Sequence, residues 1–385
     1  MKKNLVIFFV LISLSGFCDD LIGIRVFAHL KIVSVSFMVD SSGYTLSADG
    51  KLLVKTKGET FFKFTAMNDS IEVKSFDKYY GKFKHIKINA ENALGQLRLK
   101  LINPDRKVRF YRDNFVISLD GGFLKLLNDV NLDNYIAGVV EAESGTRSTP
   151  EFYKVQAILA RTFVLAHINK HLPEGYSLCD QVHCQAYYGM PKDMSILKAV
   201  ADTRGKVVVD ENLNLIVAAF HSNSGGQTAN SEDVWGARTS YLKSVKDTFS
   251  TRMPNFNWER RMTTDDWLSY LKLKHNYPID NPAAKLTALN FRQETRKIYL
   301  EASNVKVPLK NVRTDLQLKS TFFSIYNVGD TVVFIGKGYG HSLGMSQEGA
   351  MRMTKLGYSY MDVLNFYYRN IQIIDMRKLS FFRDE

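Results

Sequence analysis

The chain has 385 residues, enough for about two domains at roughly 100–200 residues per domain and for a sizeable buried core. Its 45% hydrophobic, 12% aromatic and 23% charged residues, with 8 prolines and 3 cysteines, are those of a folded globular protein and exclude disorder, collagen and disulfide-dense scaffolds. Lysine and arginine total 51 against 39 acidic residues, a net +12, so the surface field favours an anionic partner: nucleic acid, anionic lipid or an acidic glycan.

Met1-Lys2-Lys3, the apolar run Leu5–Leu14 and then Ser15-Gly16 have the charged start and short apolar stretch of an export signal. The run is too short to span a bilayer. We expect a signal over 1–18 and an exported protein of the periplasm or cell envelope, touching membrane only through that signal. Cleavage there takes the net charge from +12 to +10. Phe17 stands where a lipoprotein box wants a small residue, which disfavours lipidation at Cys18. Export, and the lack of a zinc-finger, RRM-like or arginine-rich signature, argue against a nucleic-acid partner.

From Ile24 to about Leu126, short alternating runs such as Phe61-Phe62-Lys63-Phe64, separated by Gly, Asp, Asn and Ser clusters, predict a β-rich N-terminal region over 19–126. From Asn131 the period becomes helical, with Leu132, Ile136, Val139, Val140 and Glu143 on one face. A second helix opens at Thr149 as N-cap with Pro150 at N1 and runs to about His167. Lys206–Phe220 reads as a hairpin turning at Glu211–Asn214, Asp265–Leu273 as a short helix, and Lys285–Val333 as several strands. Two helices close the chain, one capped by Ser346 and stopped at Gly357, one opened by Ser359 with Asp362 at N3. Strands and helices without regular alternation predict an α+β fold. The mixed helical and β portion covers 127–376, leaving 377–385 as a tail.

Glu143 follows Ile136, Val139 and Val140 by seven, four and three positions and shares their buried face. Glu141 follows Asn134, Ala137 and Gly138 and is expected to meet water. A carboxyl pressed against apolar neighbours is penalised when ionised and can hold a proton near neutral pH, which a general acid requires. The alternative is a helix-end glutamate paired with Arg147 or Arg161.

Cys179, His183 and Cys184 put three soft ligands within six residues, and His171 precedes them by eight. Two thiolates and two imidazoles would close a tetrahedral, structural zinc shell, with the fourth ligand open between His171, His167 and a distant histidine. The rival is a Cys179–Cys184 disulfide. Two glycine-rich segments follow. His221–Thr228 offers small hydroxyls and backbone amides suited to a polar groove or an ordinary surface loop. Gly338–Gln347 interleaves glycines with His341 and Tyr339 and leads into a helix N-terminus; it lacks the Lys-Ser/Thr of a P-loop.

Together, Leu132–Glu143, Lys154–Phe163, Cys179–Tyr187, His221–Gly236 and Gly338–Ala350 resemble one family, the stage II sporulation protein D (SpoIID/LytB) group of peptidoglycan lytic transglycosylases. The resemblance covers most of the chain beyond the export signal. It implies that Glu143 is catalytic and that zinc sits at Cys179, His183 and Cys184. It also implies a catalytic domain enclosing a glycan groove, which Arg161, Gln185, Tyr187, Ser224, Gly225, Gly226, His341, Ser346 and Gln347 would line or support. The activity implied is cleavage between N-acetylmuramic acid and N-acetylglucosamine, leaving a 1,6-anhydro sugar, in sporulation or cell division. A glycan-binding activator of a cell-wall amidase and a zinc-dependent peptidoglycan hydrolase are the alternatives. The chain departs from the family pattern at Ser144-Gly145, where Met-Pro is usual, and at Ser342, where a glycine is usual.

Overall fold

The computed structural model describes residues 21–376; the expected signal with Cys18 and the tail 377–385 lie outside them. The described residues contain both helices and several sheets, and the fold is α+β. By internal contacts the chain forms two compact units, one running to Tyr135 and including His171–Gln181, the other holding Ile136–Lys170 and the residues from Val182 onward.

The first unit is built of antiparallel strands whose side chains alternate between buried and exposed, as the period-two sequence runs require. A seven-stranded sheet runs, in spatial order, through Leu178–Cys179, Leu21–Val26, Phe123–Asn131, Asn114–Asp120, Ile86–Ala90, Tyr44–Ala48 and Lys51–Lys55. A six-stranded sheet centres on Ser34–Val39, flanked by Gln96–Asn103 and Thr60–Met67. Phe37 of the second sheet meets Phe115 of the first edge-to-face at 5.0 Å between ring centroids. These rings, with Phe62, Phe64, Leu99 and Ile117, form a dry interior. Among the described residues of this unit, only the Leu178–Cys179 strand joins its neighbour in parallel, at Ile24 and Arg25. Asp180, buried just after it, accepts from the backbone N–H of Phe27 at 2.7 Å and pairs with Arg109 at 3.3 Å.

The helices are α1 (Leu132–Ser144), α2 (Pro150–His167), α3 (Met194–Asp202), α4 (Ser231–Trp235), α5 (Thr264–His275), α6 (Pro282–Leu289), α7 (Leu309–Asp315), α8 (Gln347–Lys355) and α9 (Tyr360–Tyr367). The Thr149 side chain caps α2 by accepting from Phe152 N–H at 3.2 Å, and α2 is buried along most of its length. Ser346 caps α8, and Ser359 with Asp362 forms a reciprocal capping box on α9. A three-stranded sheet, Asn257–Thr263, Thr331–Lys337 and Phe323–Val328, packs on α5 and α6 around Trp267, Phe323 and Phe334.

Three local expectations change. Lys206–Val209 does turn back at Asp210–Asn214, where the Asp210 carboxylate accepts from the Asn214 N–H at 2.9 Å. The return makes a single bridge, at Leu215, and the ladder partner is Gln372–Asp375, a strand beyond the two closing helices. Lys285–Val333 is not all strand: Asn281 caps α6 by accepting from Ala283 and Ala284, with Pro282 at the first position, and α7 separates its strands. Helices α3 and α4 are further elements that periodicity left unread.

Candidate active site

Helix α1 carries the candidate acid in its last turn. Ile136, Val139 and Val140 are fully buried, and Glu143, on their side, is half-buried. Its Oε1 accepts the Ala186 backbone N–H at 3.1 Å, and its own carbonyl accepts from Gln347 Nε2 at 3.2 Å. Among the described residues no cation pairs with it; Arg147 is exposed and Arg161 is engaged elsewhere. Burial therefore raises the Glu143 pKa above that of an ordinary carboxyl, and the single Ala186 N–H pulls only partly the other way. The helix-end ion pair is not the state of this glutamate.

The opposite side of α1 is also covered. Ala137 and Gly138, which share the side of Glu141, are buried, and residues 184–190 return across Gly138. A side chain at Gly138 would overlap the Gly189 carbonyl oxygen and come within 2.6 Å of the Tyr187 ring. Glu141 is half-buried and accepts the N–H groups of Lys192 at 2.7 Å and Asp193 at 3.2 Å, so it anchors the approach to α3. The two glutamates thus differ in kind: one is held by two backbone donors, the other by one donor amid apolar cover.

The two glycine-rich segments cross each other nearby. Phe220–His221 pairs in parallel with Met345–Ser346, and Asn223 bridges Tyr339. Gly225 (φ 69°) and Gly338 (φ 80°) both sit in the left-handed region where the backbones touch; a Cβ on Gly338 would lie 2.6 Å from the Asn223 carbonyl. Beneath them Ser224 Oγ meets Asp247 and Ser250, each at 2.7 Å, and burial raises the Asp247 pKa. His221 and His341 lie 5.6 Å apart. His221 is pushed well below the usual histidine value by burial, and His341 to about 4 for the same reason. His341 Nδ1 accepts the Leu343 N–H at 3.1 Å, a bond that needs an unprotonated nitrogen there.

The expected groove residues divide accordingly. Arg161 is wholly buried, and its guanidinium donates to the carbonyls of Thr203 at 2.9 Å and Lys206 at 3.2 Å, tying α2 to the end of α3. It cannot touch a glycan from there. Ser224 and Ser346 are fully buried, and Gln185, Tyr187 and Gly225 are buried as well, so none of these five opens to solvent. Gly226, His341 and Gln347 are partly open to solvent. Sequence reasoning missed Gly138, Asp247 and Glu174: Gly138 shows its role only through the distant Gly189 and Tyr187, whereas Asp247 accepts from the Ser250 N–H and Glu174 meets His171, each three residues away.

One stretch of chain gathers the thiols and imidazoles. His171, Cys179, His183 and Cys184 each offer a ligand atom within 4.8 Å of the others, a set that could hold a metal ion. Both cysteines are buried. His171 Nδ1 meets Glu174 Oε1 at 2.6 Å, the carboxylate contact that orients a ligand imidazole and leaves Nε2 for a metal. His167 instead turns Nδ1 to the Phe163 carbonyl at 2.8 Å and is not among the four.

What fold and site define is an α+β protein with a desolvated glutamate at the end of α1 that has no cationic partner among the described residues, next to crossed glycine-rich segments. The family model described as stage II sporulation protein matches residues 120–209, which include Glu143 and the Cys/His stretch. Stage II sporulation protein D of Bacillus subtilis (strain 168) is 30% identical over 265 residues, 64% of this chain and 75% of the relative. Its counterpart in Bacillus amyloliquefaciens is 29% identical over 263 residues, again 64% and 75%. The amidase enhancer of Bacillus subtilis (strain 168) is 27% identical over 433 residues, 91% of this chain and 59% of the relative. The chain belongs to the stage II sporulation protein D family.

Proposed function

We propose that this protein remodels the cell wall by cleaving peptidoglycan glycan strands as a lytic transglycosylase, outside the cytoplasm where that polymer lies. The observation that carries the reading is Glu143: half-buried, without a cationic partner among the described residues, and with its pKa raised by desolvation. Protonated Glu143 donates to the glycosidic oxygen leaving C1 of N-acetylmuramic acid. Its carboxylate then takes the C6 hydroxyl proton as O6 closes on C1, which regenerates the acid without water. One carboxyl serves both steps, so no second carboxylate is needed, unlike a hydrolytic glycosidase. The Ala186 N–H on Oε1 steadies the carboxylate between the steps. Lactyl carboxylates make the glycan anionic, which suits a chain of net +12.

His171, Cys179, His183 and Cys184 have the donor set for Zn2+. When bound it would cross-link the stretch; four protein ligands leave no open position, so this shell supports structure rather than hydrolysis. Glu143→Gln is nearly isosteric and should abolish 1,6-anhydro products in mass spectrometry of digested glycan while leaving glycan binding intact. Undiminished anhydro ends would overturn the assignment. A second reading draws on the similarity to an amidase enhancer along 91% of the chain: the protein binds glycan and activates a cell-wall amidase without chemistry of its own. Glu143→Gln that still stimulates amidase release of stem peptides, from a wild type that forms no anhydro ends, would favour it.

A further inference from the structure

A cavity of about 380 Å³ opens between the segment Gln227–Gly236 and α7, with His341 in its wall. It is distinct from the Glu143 position, which is not part of its lining. Two arginines share its surface. Arg296 donates Nε to the Gln227 carbonyl at 2.7 Å and a second nitrogen to the Ser224 carbonyl, and its guanidinium lies 4.7 Å over the Phe322 ring. Its contact with Thr321 is long, at 3.4 Å, so part of the five-donor fork stays unspent. Arg313, on α7, has a buried Nε with no hydrogen-bond partner among the described residues. Neither arginine has a carboxylate within ion-pair distance among those residues.

Two like charges side by side and half out of water are costly unless an anion joins them. Burial and the neighbouring Arg313 push the Arg296 pKa down to about 9, and burial lowers that of Arg313 too. Lys297 and Lys310 add to the field at the rim. The wall also holds two acids, but Glu232 is paired with Lys243 at 3.0 Å, and Asp233 accepts from Asn230 at 2.9 Å. Ile298 and Leu309 complete an apolar side. Apolar side chains and a guanidinium pair lining one cavity fit a carboxylate attached to a small alkyl group.

We propose that this cavity is a carboxylate subsite, in which Arg313 and Arg296 grip the acid of a peptidoglycan fragment whose methyl-bearing carbon rests on Ile298 and Leu309. The inference rests on the reading of the protein as one that acts on peptidoglycan. Such an acid has two sources there, the lactyl group of muramic acid and the C-terminal alanine of a stem peptide.

Isothermal titration of the whole protein with N-acetylmuramic acid, N-acetylglucosamine and N-acetyl-D-alanyl-D-alanine separates them. One of the acids should bind at least about tenfold more tightly than the neutral sugar, and Arg313→Gln should lose about that factor, the effect of one charge-assisted hydrogen bond. Arg313→Lys, which keeps the charge, should retain most of the affinity. Preference for the sugar acid assigns the lactyl source, preference for the dipeptide the stem source. Equal binding of all three, binding of neither acid, or affinity indifferent to Arg313→Gln overturns the subsite. The two readings fail separately: Arg313-dependent acid binding in a protein that forms no anhydro ends sinks the cleavage reading alone. Cleavage by the wild type, with acid binding untouched in Arg313→Gln, sinks the subsite alone.

Discussion

Gly138→Ala tests whether α1 is buried on its second side. On a solvent-facing helix position this change stabilises, by about 0.5–1 kcal/mol, because alanine loses less backbone entropy than glycine. Here the added methyl would overlap the Gly189 carbonyl oxygen and come within 2.6 Å of the Tyr187 ring. Relief requires a shift of backbone, not of a flexible side-chain tip. Overpacking of this kind costs about 1–3 kcal/mol, which leaves a net loss of roughly 0–2.5 kcal/mol, centred near 1. At about 2–4 °C per kcal/mol for a cooperative unit of roughly 150–250 residues, the size class of the compact unit that holds Gly138, the melting temperature should fall by about 2–4 °C.

The same shift reaches Glu143, the proposed acid. Gly189 lies three residues after Ala186, whose N–H is the one hydrogen bond drawing the Glu143 pKa down. If the segment retreats, that donor retreats too, and the pKa of Glu143 rises further. Scanning calorimetry and a pH profile of anhydro-sugar release should therefore show a lower melting temperature and a basic limb displaced to higher pH. A melting temperature that rises, with an unmoved pH profile, would show that Gly138 faces solvent and that the packing argument is wrong.

Glu143 also leaves a signature in stability. Its folded pKa lies above the unfolded value, so the folded state favours the proton: this contribution is fully present below the ordinary carboxyl pKa and is lost as pH rises through the raised one. Glu143→Gln cannot ionise. In urea titrations its stability relative to wild type should climb across that window and stay level on either side; a difference independent of pH would mean that the carboxyl is not desolvated. Chelation of the purified protein should lower its melting temperature by about 5–10 °C, the effect of a ligand held near a hundredfold above its dissociation constant, while residual anhydro-product formation continues in the folded fraction. Immediate loss of activity with no change in melting temperature would instead indicate a catalytic metal.

What could be read in advance was local. Thr149-Pro150, Ser346 and the Ser359/Asp362 pair announce helix starts through contacts spanning three residues, and all hold in the structure. The face shared by Ile136, Val139, Val140 and Glu143 is legible for the same reason, since a 3.6-residue period is written in neighbouring positions. Non-local contacts have no such record. The strand at Lys206–Val209 looked for its partner in the next turn and found it at Gln372–Asp375. Arg161 looked like a cation for substrate; carbonyls more than thirty-five residues away, at the end of α3 and beyond, claim it.

Gly138 shows the limit most clearly. Periodicity identifies one buried face of a helix, but it cannot count faces, because a second cover arrives from elsewhere in the chain and leaves only a missing side chain as its trace. That second cover is also what makes the glutamate chemically distinct. The apolar face of α1 supplies desolvation, while the segment returning over Gly138 supplies the single Ala186 N–H that keeps ionisation within reach. A general acid that must also act as a base needs both: enough burial to hold its proton and one donor to tolerate its loss.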